Sequence, residues 1–105
     1  MSRYRLYVSP DAFKEMRKLP GHMRQRVIRA VDELAANPRP AKSIALQTSS
    51  FPGPFEVEPR RLRIDRWRII YAISDEERFI DILAVRKRPP YDYGDLGEVL
   101  ASYLQ

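Results

Sequence analysis

Residues 61–85 read RLRIDRWRIIYAISDEERFIDILAV, and this stretch decides the fold. Arg61 to Ile64 alternates charged with apolar residues. Trp67 to Ile73 and Phe79 to Val85 are dense in β-branched and aromatic side chains, which fit a pleated, half-buried surface. The polar run Ser74 to Glu77 between them makes a hairpin turn, so three consecutive strands are predicted. Alternation puts Leu62 and Ile64 on one face of the first strand and Arg61 and Arg63 on the other. On the second, Trp67, Ile69, Tyr71 and Ile73 share a face, and Arg68 points opposite with Ile70 and Ala72. An arginine in such a strand is costly to bury unless it is paired or faces an anion. Arg68 therefore either pairs with a neighbouring acid such as Asp81 or meets an external anion.

Upstream, Tyr4 to Val8 alternates and reads as a short opening strand. Ser9-Pro10 is a helix start: a serine oxygen can accept from an orphan amide, and proline is tolerated at the first helical position. Phe13, Met16 and Leu19 then mark one face of a short helix that Pro20-Gly21 ends. A second helix is expected from about His22 to Ala36, with Met23, Val27, Ala30, Val31 and Leu34 on one stripe. Asn37-Pro38 stops it, and so tight a break between helices predicts an antiparallel hairpin. Residues 38–59 hold five of the nine prolines and read as a long loop with one short helical turn around Ser43 to Gln47. Downstream, Asp95 to Leu104 is a candidate short helix with Leu96, Val99, Leu100 and Tyr103 inward. The order predicts one α+β domain over 1–105, its helices on one face of a mainly antiparallel sheet.

Composition narrows the chemistry. The 105 residues lack cysteine and contain one histidine, which leaves no thiol catalysis and little basis for a His-dependent nucleophile. His22 reads as a helix-start residue. Asp75, Glu76 and Glu77 look like an exposed turn and not a metal site, and no cofactor is expected. No apolar run reaches the ~18 residues of a membrane span. The N-terminus lacks the apolar core of a signal peptide, so a cytoplasmic location is expected. The net charge is +5, and 15 of the 19 basic residues are arginine. Arginine's planar fork matches phosphate bidentately, which makes nucleic acid the leading partner class; a solvated, arginine-decorated surface is the plainer reading.

The basic residues concentrate in two places. Arg60, Arg61, Arg63, Arg66 and Arg68 fall within nine residues, and Arg86, Lys87 and Arg88 end the last strand before Pro89-Pro90-Tyr91-Asp92-Tyr93. On neighbouring strands the two clusters would share one sheet, beside a proline turn bearing two phenols. Guanidinium groups next to tyrosines suit a phosphate with a stackable base. Alternatively, Tyr91 and Tyr93 pack under the C-terminal helix.

The order YRLYVSPDAFKEMRKLP, a helix ending in LAANPRP, and RRLRIDRWRIIYAISDEERFIDILAVRKRPPY resembles the RelE/ParE toxin superfamily over roughly residues 4–91. The resemblance implies a RelE-like fold and the toxin of a type II toxin–antitoxin pair, neutralised by a cognate antitoxin. Its RelE branch implies a metal-independent, ribosome-dependent endoribonuclease acting on mRNA. Its ParE branch implies a DNA gyrase inhibitor with no nuclease activity of its own. Carried onto this chain, the nuclease pattern assigns catalytic roles to Arg61, Arg63, Arg68, Arg88 and Tyr91, with Tyr93 as the second phenol. Arg60, Arg66, Arg86, Lys87 and Tyr93 would then bind RNA. The departure is at Arg61 and Arg63, where family nucleases often carry lysine: an arginine stays protonated and makes a poor general base.

Overall fold

The computed structural model describes residues 3–46 and 57–87. Strand β1 (Arg5–Val8) leads into helix α1 (Pro10–Arg17). Ser9 sits in extended backbone, its Oγ accepts from the Ala12 amide at 3.1 Å, and Pro10 occupies the first turn. Helix α2 (Gly21–Leu34) follows directly after Pro20. Arg24 locks the break between the helices: its Nη2 donates to the carbonyls of Arg17 and Leu19 at 3.0 and 3.1 Å.

Three strands then follow the expected order: β3 (Glu58–Ile64), β4 (Trp67–Ser74) and β5 (Phe79–Lys87). The expected helical turn around residues 43–47 is instead strand β2 (Ser43–Ala45), paired antiparallel with β3. Its ladder partners lie in β3, and a pattern of three residues carries no local signal for a strand. The sheet order is β1-β5-β4-β3-β2. All neighbours are antiparallel except β1, which pairs parallel to β5 from Arg5↔Phe79 to Val8↔Ile82. The expected C-terminal helix, 95–104, lies outside the described residues.

Both helices cover one face of the sheet. Ala12, Leu19, Met23, Val27, Val31 and Leu34 pack there against Leu62, Ile69, Tyr71, Ile73, Ile80, Ile82 and Val85. Phe13 departs from the expected helix face. It is 54% exposed, with the Arg17 guanidinium over its ring, while Ala12 takes the buried position. A smaller apolar set, Ile70, Ala72, Leu83 and Ala84, marks the opposite face.

Two loops fix the strands. Asp65 and Arg66 form a two-residue hairpin closed by the Ile64↔Trp67 pair, with Asp65 at φ 56°. Aspartate tolerates that left-handed conformation better than most residues. At the other end, Ser74↔Phe79 closes a four-residue loop in which Ser74 Oγ accepts the Glu77 amide.

Candidate nucleic-acid interface

The register lines up arginines across three strands. Arg63 of β3 is the cross-strand partner of Arg68 in β4, and Arg68 is in turn the partner of Arg86 in β5. Cross-strand partners share a face, so these three form a row on the side away from the helices. Arg61 lies two residues along β3 on the same face, opposite Ile70.

A bulge makes this row. In β5, Ile80 and Ile82 face the helices, and strict alternation would send Ala84 and Arg86 the same way. The ladder instead shifts between Ile70↔Ala84 and Tyr71↔Ile82, leaving Leu83 as the extra residue. Beyond it the parity reverses: Val85 joins the helix-side core and Arg86 turns to the face of Arg68.

Like charges on adjacent strands repel, and each inner arginine has an anchor. Arg68, only 7% exposed, donates from Nη1 to the carbonyls of Asp65 and Trp67 at 3.0 and 2.9 Å. It thereby braces the β3–β4 turn. Arg86 Nε lies 2.8 Å from Glu15 Oε2 of α1. The other Glu15 oxygen accepts the Val85 amide at 3.0 Å, just past the point where β1 stops covering the edge of β5. Glu15 thus caps an open strand edge and holds Arg86. Nothing in the sequence pointed to it, because its partners lie 70 residues away.

The other candidates divide. Arg60 lies on the opposite face, across from Tyr71, with its guanidinium held by Glu58 (2.7 Å) and Ser43 Oγ (2.9 and 3.1 Å). Lys87 pairs with Trp67 and also falls on the helix side. Arg66 is exposed in the hairpin turn. Arg88, Tyr91 and Tyr93 lie outside the described residues. His22 is exposed in the first turn of α2, as expected of a helix-start residue.

Most displaced pKa values gather elsewhere, around Asp75 just past the end of β4, about 20 Å from the row by strand rise. Arg39 donates to Asp75 and Glu58, and Tyr4 donates to Asp75 at 2.5 Å. The Arg39 and Tyr4 bonds hold the Asp75 carboxyl below its ordinary value. Burial pushes Glu58 up, but bonds from Arg60 and Arg39 outweigh it and leave it lowered. The Asp75 bond raises Tyr4, while burial raises Tyr71, whose hydroxyl donates to the Pro38 carbonyl at 2.7 Å. These contacts tie residues 38–43 to the sheet. Among the described residues no three His, Asp or Glu side chains converge as metal ligands, and no helix is long and apolar enough to cross a membrane.

A mainly antiparallel sheet with a helical hairpin on one face and an arginine row on the other defines a small α+β protein. The family is shown by sequence: residues 6–89 match the ParE toxin of type II toxin–antitoxin systems, and the chain belongs to this RelE/ParE toxin family. Solved structures agree on the fold. The archaeal RelE–RelB complex from Pyrococcus horikoshii aligns at TM-score 0.72 with 23% identity, over 85% of this chain and 99% of that one. The toxin–antitoxin complex RelBE2 from Mycobacterium tuberculosis gives 0.66 and 23%, over 82% and 99%. The intact E. coli RelBE complex gives 0.57 and 26%, over 80% and 95%. The comparison with curated proteins returned no match.

Proposed function

We propose that this toxin acts as a metal-independent endoribonuclease on mRNA at the ribosome, in the cytoplasm, and is held inactive by a cognate antitoxin. The observation that carries this reading is the arginine row Arg63–Arg68–Arg86, with Arg61 on the same face. In-line attack of a ribose 2′-hydroxyl forms the O2′–P bond and breaks the P–O5′ bond. Negative charge grows on the non-bridging oxygens, where fixed guanidinium groups stabilise it. Arg61 and Arg63 face outward to meet the phosphate, while the anchored Arg68 and Arg86 set the field behind them. Arg88 and Tyr91 complete the proposed set, with the Tyr91 phenol supplying the proton to the leaving oxygen. The 2′-hydroxyl proton leaves to a base outside the arginines, and the ribosome is the proposed source of RNA positioning.

The match to the ParE family supports a second reading, inhibition of DNA gyrase without cleavage. One experiment separates the two. Brief induction followed by mapping of RNA 5′ ends reveals discrete new ends inside coding regions if the toxin cuts mRNA. The paired substitution Arg61→Ala with Arg63→Ala removes them. Intact messages together with inhibited supercoiling by purified gyrase would overturn the nuclease.

A further inference from the structure

Among the described residues β1 is an outer strand of the sheet, and the direction of its backbone groups can be assigned. The amides of Arg5 and Ser9 donate to the carbonyls of Arg78 and Ile82 at 3.0 and 2.9 Å. In a parallel ladder alternate residues bond the neighbour, so Arg5, Tyr7 and Ser9 face β5 while Leu6 and Val8 direct N–H and C=O outward. Native edges of this kind are blunted by lysine, proline, a bulge or a covering segment. This strand reads RLYV, with neither lysine nor proline, and Arg5 is folded back onto the Glu77 carbonyl at 3.3 Å. Tyr7 is 47% exposed, Val8 and Phe13 are exposed close by in the chain, and the Tyr7 ring meets Phe79 edge-on at 6.1 Å. The opposite edge differs: β2 has three residues, and the outward amide of its Ser43 already donates to the Pro40 carbonyl at 2.9 Å.

A second copy of β1 can pair antiparallel with this edge about a twofold axis normal to the sheet, which keeps like faces together. Registers centred on Leu6, Tyr7 or Val8 set outward groups opposite one another. Centring on Leu6 draws its flanking pairs from Tyr4, whose amide already donates to the Ala35 carbonyl at 2.9 Å. Centring on Val8 draws them from Pro10, which has no N–H and begins α1. Centring on Tyr7 uses only Leu6 of each copy against Val8 of the other. That register puts Tyr7 opposite Tyr7 in the close, non-hydrogen-bonded position and extends the Tyr7–Phe79 contact into a row of rings. It holds the two Arg5 residues about 14 Å apart, beyond the Debye length of about 8 Å at physiological salt. It also carries Arg3 of one copy toward the end of α1 that bears Asp11 in the other. We propose that β1 is a self-pairing edge and that the chain forms a twofold dimer through it, centred on Tyr7. The two five-stranded sheets then join into one, with both arginine rows on the same face. The pairing does not depend on the nuclease reading.

The test uses the purified full chain in sedimentation velocity from about 1 μM to 1 mM, the range in which a small interface associates. A concentration-dependent dimer is expected, strengthened by salt because each copy carries +5. Tyr7→Lys places like charges directly opposite and should weaken the dimer by at least about tenfold. Tyr7 is exposed, so the fold should tolerate the change, which Trp67 fluorescence checks. The chain has no cysteine, so single introduced thiols report the register. Tyr7→Cys should cross-link to a dimer under mild oxidation, because the non-hydrogen-bonded position is close enough for a disulfide; Arg5→Cys, far from its counterpart, should not. This pair decides the matter even if Tyr7→Lys fails to fold. The proposal is overturned if the chain is monomeric throughout, if Tyr7→Lys folds and dimerises like the parent, or if Arg5→Cys cross-links as readily as Tyr7→Cys. Amide exchange separates the other occupants. The Leu6 and Val8 amides should become protected as protein concentration rises. Protection already complete at the lowest concentration overturns the proposal, since another segment of the same chain then covers the edge.

Discussion

Glu15 touches the end of β5 through both of its oxygens, and replacing it separates two roles. Glu15→Ala removes a charged acceptor 3.0 Å from the Val85 amide and a carboxylate 2.8 Å from Arg86 Nε. A hydrogen bond to a charged group contributes about 1.5–3 kcal/mol. The ion pair adds less than about 1 kcal/mol, because both side chains keep about 30% exposure. The expected loss for Glu15→Ala is therefore ~2–3 kcal/mol, which lowers Tm by on the order of 10 °C in a domain of this size. Glu15→Gln keeps an oxygen for Val85 and loses only the charge, so its cost is ~0.5–1 kcal/mol. Urea unfolding followed by the fluorescence of Trp67, the single tryptophan, measures both. Equal stability of the two variants, or an alanine variant within about 0.5 kcal/mol of the parent, would refute the edge-capping role.

Other outcomes follow from the same geometry. Tyr71→Phe deletes a hydroxyl on a fully buried ring and leaves the Pro38 carbonyl without that donor, so unfolding should become easier by ~1–1.5 kcal/mol in urea titration. The lowered pKa values of Asp75 and Glu58 contribute stability that is complete above their unfolded values and fades as pH falls through the folded ones. Tm should hold between about pH 5 and 8 and drop below about pH 4, and Arg39→Ala should flatten that drop. Deleting Leu83 removes the extra residue of the bulge and turns Arg86 toward the helices. The deletion should weaken oligouridylate binding more than Leu83→Ala does, measured on folded protein.

Where a pattern was local, the sequence carried the fold. The hydrophobic stripe Met23–Val27–Val31–Leu34 and the opposite placement of Arg68 from Trp67 and Ile69 needed only periodicity. Features set by distant partners were not legible: the parallel pairing of β1 with β5, the three-residue β2, and Glu15 against Val85. The site was half legible for the same reason. Alternation placed Arg61, Arg63 and Arg68 together, but Arg86 joins them only because a bulge inverts the parity of β5. Arg60 was grouped with the cluster by proximity in the chain, although it shares the parity of Leu62 and faces the other way. Phe13 lies outside because Ala12, which no periodicity of large apolar residues marks, suits the close approach of α1 to the sheet.

The place of β1 in the sheet also sets an order in time. Residues 5–8 are made well before their partners, residues 79–82 of the last described strand. During synthesis the opening segment must wait, unpaired, for nearly the whole described chain to emerge. Until β5 arrives, β4 lacks one neighbour and the arginine row lacks Arg86. Contacts this far apart in sequence form late and slowly. An interrupted translation product ending before residue 79 therefore holds neither a closed sheet nor a complete cationic face, so the completed row first exists when β5 has been made.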